Sequence, residues 1–351
     1  MGEVFPTRAA FGRAGHNGAM PPLPDPIATL PDATWRPLTI DDVDAYVRLQ
    51  AAARVADGGQ EVMTAEMARH ELTDPNCPTA TNTLVLALPD GSLAGSVLAQ
   101  QRLQGIESRR IFLWGVTRPD HRGQGIGHSL LDWAIARGDE ILADQPANLE
   151  RLVEAFREER LGEAIALHEA AGFTPVRWYI EMRRDLREPI PAEATPAPIR
   201  IDGYQPALRD RIRQAHNDAF SDHWGSEPLT AEIWNRDFVG DPTFRGDLSF
   251  VAYDGSEIAG YSVNYVEEAD QEATGLREGW VGQLGVRRPW RRRGLATALL
   301  VRSMRAFRDA GMDATSLSVD AENATGALGV YERVGFRPVR RSVRMQRPFG
   351  G

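Results

Sequence analysis

The sequence predicts an α/β chain made of two successive domains of similar size. Three observations support this: the chain has 351 residues, a proline-rich segment lies near its middle, and the same order of helices and strands occurs on both sides of that segment. About 150 residues is typical of one domain, so a chain of this length seldom has a single core. We therefore expect two domains built on one repeated plan.

Two proline-rich segments divide the chain. Residues 1–33 combine Gly, Pro and Ala, a composition that cannot bury enough apolar surface to fold alone, so we expect a disordered leader. Residues 187–198 hold four prolines, which is typical of a semi-extended linker. We therefore place the N-terminal domain at 34–186 and the C-terminal domain at 199–348.

The composition excludes several classes of function. Hydrophobic residues make up 42% and charged residues 25% of the chain, as in ordinary globular proteins. No apolar run approaches the ~20 residues that cross a bilayer, and the N-terminus lacks a basic region followed by an apolar stretch, which argues against a secretory signal. We therefore expect a cytoplasmic protein without a membrane partner. The net charge of −9 argues against nucleic acid as a partner. The one cysteine, Cys77, can form no internal disulfide, and we expect no metal.

Each half repeats the same elements in order. A helical region comes first, at Asp41–Ala56 and at Ala207–Phe220. Two short strands follow, joined by a turn that contains Asp-Gly, and a third apolar strand comes next. A glycine-containing turn, a helix with apolar residues at helical spacing, a helix that ends in Gly-Phe and a last strand complete each half. The predicted strands are Thr83–Leu88, Leu93–Ala99 and Ile111–Val116 in the first half, and Leu248–Tyr253, Ile258–Tyr265 and Trp280–Val286 in the second.

The basic turn after the third strand predicts a diphosphate site. A helix N-terminus exposes unpaired N–H groups there, and its dipole adds about half a positive charge. Glycine or alanine at two positions lets the backbone approach a ligand, while the arginines can make charge-assisted phosphate contacts. No early Gly-x-Gly-x-x-Gly and no Gly-Lys-Ser/Thr occurs, which argues against a dinucleotide fold and a P-loop. The expected ligand-binding residues are Arg122, Gly123, Gln124, Gly125, Ile126 and Gly127 in the first half, and Arg291, Arg292, Arg293, Gly294, Leu295, Ala296 and Thr297 in the second.

The pattern Arg-x-x-Gly-x-Gly/Ala between strand and helix, followed by the segment 323–336 that ends in Gly-Phe, resembles the GNAT acetyltransferase superfamily. The tandem layout is similar to that of its mycothiol synthase group. The resemblance implies a mixed, mostly antiparallel sheet flanked by helices in each domain, opened between its fourth and fifth strands to hold the pantetheine arm. It also implies acetyl-CoA as cosubstrate, contacted by backbone N–H groups of Leu284, Gly285 and Val286 and by Asn323.

Acyl transfer from a thioester to an amine needs a base, a polarised carbonyl and an acid for the departing thiolate. By resemblance, Tyr331 is the expected acid. Glu278 and Glu267 are the candidate bases, and Glu268, Asp270 and His223 remain alternatives. By resemblance, Asp222, His223 and Trp224 lie where the family builds its acceptor pocket, and an acidic and aromatic lining suits a cationic or amphipathic amine. A helix-ending turn with Trp224 in the core is the alternative interpretation.

The N-terminal half retains the turn but has His168 where the second half has Tyr331, and we interpret His168 as a surface histidine. We therefore expect that half to be degenerate, binding acetyl-CoA without transferring the acetyl group. The predicted reaction is direct transfer to a primary amine, on a small molecule, in the C-terminal domain. The alternatives are a non-catalytic CoA-binding regulatory module and a protein or aminoacyl-tRNA N-acetyltransferase. Either a monomer or a homodimer fits the sequence.

Overall fold

The computed structural model describes residues 20–103, 107–322 and 326–351, which form two compact units. We call residues 20–176 with 343–351 the N-terminal unit, and residues 177–342 the C-terminal unit. No described helix has the length and apolar composition needed to cross a membrane.

The first half of the chain has the predicted order of helices and strands. Strands β1 to β4 are antiparallel neighbours, and β5 lies parallel to β4. The elements are β1 (Thr34–Arg36), α1 (Val43–Ala56), α2 (Ala65–Leu72), α3 (Thr79–Asn82), β2 (Thr83–Ala87), β3 (Leu93–Arg102), β4 (Ser108–Thr117), α4 (Ile126–Ala143), β5 (Glu150–Glu158), α5 (Gly162–Ala170) and β6 (Thr174–Asp185).

The second half repeats this plan. Strands β7 to β10 are antiparallel neighbours, and β11 lies parallel to β10. A mixed, mostly antiparallel sheet flanked by helices is therefore present in each unit, and the predicted fold class is confirmed. The elements are β7 (Arg200–Gly203), α6 (Arg209–Phe220), α7 (Ala231–Asp237), β8 (Phe250–Asp254), β9 (Glu257–Val266), α8 (Glu268–Thr274), β10 (Glu278–Val286), α9 (Leu295–Asp309), β11 (Ala314–Asp320), α10 (Ala327–Arg333) and β12 (Arg337–Pro348).

The division between the units falls inside strands rather than in the proline-rich segment. Strand β6 ends the first half of the chain but pairs with β11 along the whole length of β11, so most of β6 belongs to the C-terminal unit. Residues 343–348 of β12 belong in turn to the N-terminal unit. Each unit therefore contains a last strand from the other half of the chain, which differs from the boundaries expected at 34–186 and 199–348.

Both proline-rich segments make specific contacts. In the expected linker, Glu193 accepts two hydrogen bonds of 2.7 Å from Arg302 on α9. In the expected leader, Ile27 is buried and the Asp25 carbonyl accepts a hydrogen bond of 3.1 Å from the indole of Trp35. The prediction of disorder therefore does not hold for residues 20–33, and residues 1–19 lie outside the described part of the chain.

The core that supports β10 is built by α9. Its apolar residues recur at helical spacing, and they pack with the side chains of β10 and β11 that point to the same side of the sheet. The opposite face of β10 packs against α6, which in turn packs against α7. The central strand is thus fixed from both sides while one of its edges is left open.

Candidate functional site

A gap between β10 and β11 forms the centre of the candidate site. The two strands pair in parallel only over residues 278–280 of β10, although β10 continues to Val286. Beyond Trp280, the backbone groups on that edge of β10 have no strand partner and can bind a ligand. The gap lies between the fourth and fifth strands of the second half, where the sequence resemblance implied it.

A β-bulge lies at the beginning of this open edge. The register of β10 against β9 shifts between Val281 and Gln283, so that Gly282 is the additional residue. A bulge bends a strand and turns its amides to new directions, and bulges are frequent beside active sites. The corresponding strand of the N-terminal unit, β4, pairs with β3 without a shift from Gly95↔Thr117 to Arg102↔Arg110. In the first half, β4 also has an open edge beyond residue 112, but its pairing with β3 contains no bulge.

The turn after β10 has the conformation that its glycine requires. Gly294 precedes α9 with φ 83°, and Gly125 precedes α4 with φ 87°. A Cβ at either position would meet no atom within 4 Å, so the left-handed backbone rather than lack of space favours glycine. Arg292 also has a positive φ, 61°, where the first half has Gly123 at 74°. The first N–H groups of α9 have no acceptor within the helix and form an anion-binding end.

The first arginine of each turn is engaged by the protein itself. Arg291 donates to both carboxylate oxygens of Asp222, at 2.6 and 2.9 Å, and to the carbonyls of Ala219 and Val286. In the first half, Arg122 makes the same bidentate contact with Asp57, at 2.7 and 2.9 Å. These arginines join the first helix of each half to the turn, which differs from the phosphate contact predicted for them.

Other side chains of the turn remain on the surface. Arg292 and Arg293 are exposed, and Arg293 makes one contact of 3.4 Å with the carbonyl of Ala197. These two guanidinium groups, with the amides at the start of α9, can hold an anion. The remaining predicted cofactor residues lie along the same path, with Leu284, Gly285 and Val286 at the end of β10 and Leu295, Ala296 and Thr297 at the start of α9. Asn323 lies outside the described residues.

Tyr331 lies on α10, and its side chain is buried with 1% exposure. Its ring is 6.1 Å from that of Phe336. A phenol is protonated at neutral pH and can donate a proton. This placement suits either the predicted acid or a core aromatic residue.

Glu278 starts β10 and points to the α6 side of the sheet. Its carboxylate accepts hydrogen bonds from Arg183 at 2.6 and 3.1 Å and from the hydroxyl of Ser316. Only part of its hydrogen-bonding capacity therefore remains for an amine or a water. The other candidate base, Glu267, caps α8 by accepting from the amide of Ala269 at 3.2 Å. Sequence reasoning missed Arg183 and Ser316, because strand pairing brings them to Glu278 from distant parts of the chain.

The segment after α6 contains the three predicted acceptor residues, but they differ in role. Arg291 hydrogen bonds lower the pKa of Asp222 to about 2, so its carboxylate is a fixed ion-pair partner. Burial lowers the pKa of His223 to about 4, and its buried Nε2 has no hydrogen-bond partner among the described residues. The ring of Trp224 lies 5.3 Å from the guanidinium of Arg177, which is bound to Asp320 at the end of β11. His223 and Trp224 thus lie near Asp320, at the end of β11.

On the matching face of the N-terminal unit, an arginine and a glutamate stand where the C-terminal unit has a glutamate and a serine. The last parallel pair of β4 and β5 is Phe112↔Glu154, whereas that of β10 and β11 is Trp280↔Ser316. Two residues before Phe112, Arg110 takes the place that Glu278 has in the second half. Arg344 donates to Glu154 at 2.6 Å, and its guanidinium lies 5.5 Å from the ring of Phe112. Buried ion pairs and aromatic rings fill the position where the C-terminal unit has Glu278 and Ser316.

His168 is buried, so its interpretation as a surface histidine was wrong. Its Nδ1 lies 2.7 Å from the carbonyl of Ala164 and its Nε2 2.9 Å from Arg157. Burial lowers its pKa to about 3, and the Arg157 charge acts in the same direction. The neutral imidazole uses its one N–H on the carbonyl of Ala164 and its other nitrogen on Arg157, so it is a poor proton donor for a thiolate.

Comparison with known proteins gives consistent results. The model of the acetyltransferase (GNAT) family matches residues 51–173 and 209–336. A mycothiol acetyltransferase of Nocardiopsis dassonvillei is 28% identical over 333 residues, which cover 86% of this chain and 93% of the relative. Another, of Catenulispora acidiphila, is 30% identical over 228 residues, 63% of this chain and 67% of the relative.

Solved structures show the same likeness. A GCN5-related N-acetyltransferase from Sphaerobacter thermophilus is 27% identical, with a TM-score of 0.72 and coverage of 93% of this chain and 97% of that one. A tandem GNAT protein from the clavulanic acid biosynthesis pathway is 16% identical, with a TM-score of 0.65 and coverage of 91% and 99%. The second of these shares the fold.

Proposed function

Because the chain belongs to the GNAT acetyltransferase family, as its turn motifs predicted, we propose that it transfers an acetyl group from acetyl-CoA to a primary amine in its C-terminal unit. The observation that carries this proposal is the bulge between Val281 and Gln283, at the start of the open edge of β10. It gives the second half a set of redirected amides that the continuous pairing of β4 does not give the first half.

The turn and the open edge suit the two ends of acetyl-CoA. The amides at the start of α9, with Arg292 and Arg293, would bind the diphosphate. The pantetheine arm would then follow the edge of β10 into the gap. Amides of Leu284 to Val286 would hydrogen bond to the thioester oxygen as negative charge develops on it, which stabilises the transition state.

The transfer is proposed to be direct. The amine nitrogen forms a bond to the acetyl carbon, the carbon–sulfur bond breaks, and the sulfur takes a proton from Tyr331 as the nitrogen loses one to a base. Glu278, two residues before the end of the parallel pairing of β10, is the candidate base. Cys77, the one cysteine of the chain, is buried, and burial raises the pKa of its thiol, which disfavours a covalent intermediate on it.

The proposal gives the N-terminal unit no catalytic step. Three features support this: β4 has no bulge, Arg110 stands where Glu278 would be, and the buried neutral His168 replaces Tyr331. Its turn, with Gly123 and Gly125, is retained, so we propose that it binds acetyl-CoA without turnover.

We propose a small molecule as the carrier of the amine. The relatives named mycothiol acetyltransferase support this class of acceptor. The partly exposed ring of Trp224 offers an aromatic face that suits an amphipathic amine.

A competition between acceptor classes tests the proposal. The purified full chain is mixed with acetyl-CoA and a panel of small amines, N-terminal peptides or aminoacyl-tRNA, and release of the CoA thiol is followed. The proposal predicts release with at least one small amine and a mass increase of one acetyl group on that amine. Release only with peptides or aminoacyl-tRNA, or with no acceptor present, would contradict it.

A further inference from the structure

Two glycines of β10 are covered by tyrosine rings from β9. A Cβ placed on Gly282 would lie 2.2 Å from the Tyr265 ring, and one on Gly285 would lie 2.4 Å from the Tyr261 ring. Real Cβ atoms do not approach other atoms so closely, so each ring occupies the volume that a side chain would fill. Gly285 is also the direct cross-strand partner of Tyr261. The two contacts lie at the bulge and three residues beyond it.

Each tyrosine hydroxyl is itself held. Tyr265 donates to the side-chain oxygen of Gln283 at 2.9 Å, and both residues are buried. The hydroxyl of Tyr261 lies 2.6 Å from Nδ1 of His216, whose ring stacks on Phe220 at 4.5 Å. Buried hydrogen bonds of this kind fix the rings in one position. The rings therefore cannot move away from the two glycines without leaving buried polar groups unpaired.

The N-terminal unit has neither tyrosine. Its residues at the matching cross-strand positions are Gln100, opposite Phe112, and Ser96, opposite Val116. There Trp114 donates its indole N–H to Gln100 at 3.1 Å, and no bulge is present. The tyrosines and the bulge thus occur together in one half and are absent together from the other.

We propose that Tyr265 and Tyr261 are positioning residues, which lock the bulge of β10 and so aim the amides of Leu284 to Val286 at the thioester oxygen. This inference rests on the proposed function, because it assigns these residues a part in the same acetyl transfer. Neither residue touches the reacting atoms, since both are buried beneath the strand. Their effect is on the direction of the backbone donors, where a displacement of about 1 Å costs up to 10²-fold in rate.

The test is Tyr265→Phe, which keeps the ring and removes the hydrogen bond to Gln283. We expect kcat to fall about tenfold while the KM for acetyl-CoA changes less than about twofold, because the lost donor alignment matters in the transition state. Amide hydrogen exchange of a peptide spanning 281–286 should become faster. Gln283→Glu, made with Tyr265 intact, retains an acceptor for the phenol and should keep most of the wild-type kcat. Gln283→Met removes that acceptor and should lower kcat as Tyr265→Phe does, which also covers the case that Tyr265→Phe folds poorly.

The matched control is Tyr46→Phe in the N-terminal unit, which loses a buried phenol hydrogen bond of 3.1 Å to Glu71. It should destabilise the protein similarly and leave kcat unchanged. If the wild type turns over an amine and Tyr265→Phe keeps its kcat and its exchange rate, the positioning role is refuted and the proposed function stands. If the wild type neither binds acetyl-CoA nor transfers acetyl, the proposed function itself has failed.

Discussion

Asp222→Asn breaks the bidentate contact that joins the acceptor segment to the turn. The pKa of Asp222 is about 2 against an ordinary 3.8, which corresponds to about 2 kcal/mol of preferential binding of the charged form. The side chains of Arg291 and Asp222 are 18% and 33% exposed, so solvent screening reduces the expected loss of stability to about 1 kcal/mol. Because Asp222 adjoins His223 and Trp224, the substitution should also raise the KM for the amine, by about fivefold.

Asp57→Asn is the matched control, since it breaks the equivalent contact with Arg122, at 2.7 and 2.9 Å. Urea unfolding at pH 7 should give similar losses for both variants, and steady-state kinetics should show a raised KM for Asp222→Asn alone. A carboxyl whose pKa is lowered by folding stabilises the fold at a pH above its unfolded pKa. The stability difference between the wild type and Asp222→Asn should therefore shrink as the pH falls from about 4 towards 2. Equal KM values for the two variants, or a stability loss of Asp222→Asn that is as large at pH 2 as at pH 7, would contradict this prediction.

Tyr331→Phe should lower kcat by about 10²-fold or more without weakening acetyl-CoA binding, measured by single-turnover kinetics and calorimetry, if its phenol protonates the sulfur; an unchanged kcat would make Tyr331 a core residue only. His223→Asn should leave the pH profile between 6 and 8 unchanged, because His223 with a pKa of about 4 is neutral throughout that range; loss of an inflection near pH 7 would show that it is the base. Arg344→Met should destabilise the protein by about 3 kcal/mol in urea unfolding, because the buried carboxylate of Glu154 loses one of its cationic partners. The kcat per folded molecule should remain that of the wild type. A large loss of kcat would place the acetyl transfer in the first half.

Local signals were enough to predict the elements and the turns. Alternating apolar residues, Asp-Gly turns and helical spacing gave β2, β3, β8 and β9 with small errors at their ends. The glycines before α4 and α9 adopt the left-handed conformation that a strand-to-helix turn needs. These features depend on a few neighbouring residues, which is why one sequence reveals them.

Features that depend on distant pairing were not predicted. The exchange of β6 and of the end of β12 depends on which strands find each other, and no short pattern encodes that choice. The contacts of Arg291 and Glu278 were missed for the same reason, because their partners Asp222 and Arg183 are far away in sequence. One signal was available: Gly282 inside an apolar strand is typical of a bulge.

The central claim is that the turn and open edge of the second half, not of the first, support acetyl transfer. Gly294→Ala and Gly125→Ala test it as a pair, because both glycines have nearly the same positive φ and open space, so each substitution should cost about 1–2 kcal/mol of local strain. The measurement is kcat/KM for acetyl-CoA at saturating amine. We expect at least a tenfold loss of kcat/KM for Gly294→Ala and less than a twofold change for Gly125→Ala. A larger loss for Gly125→Ala than for Gly294→Ala would contradict it.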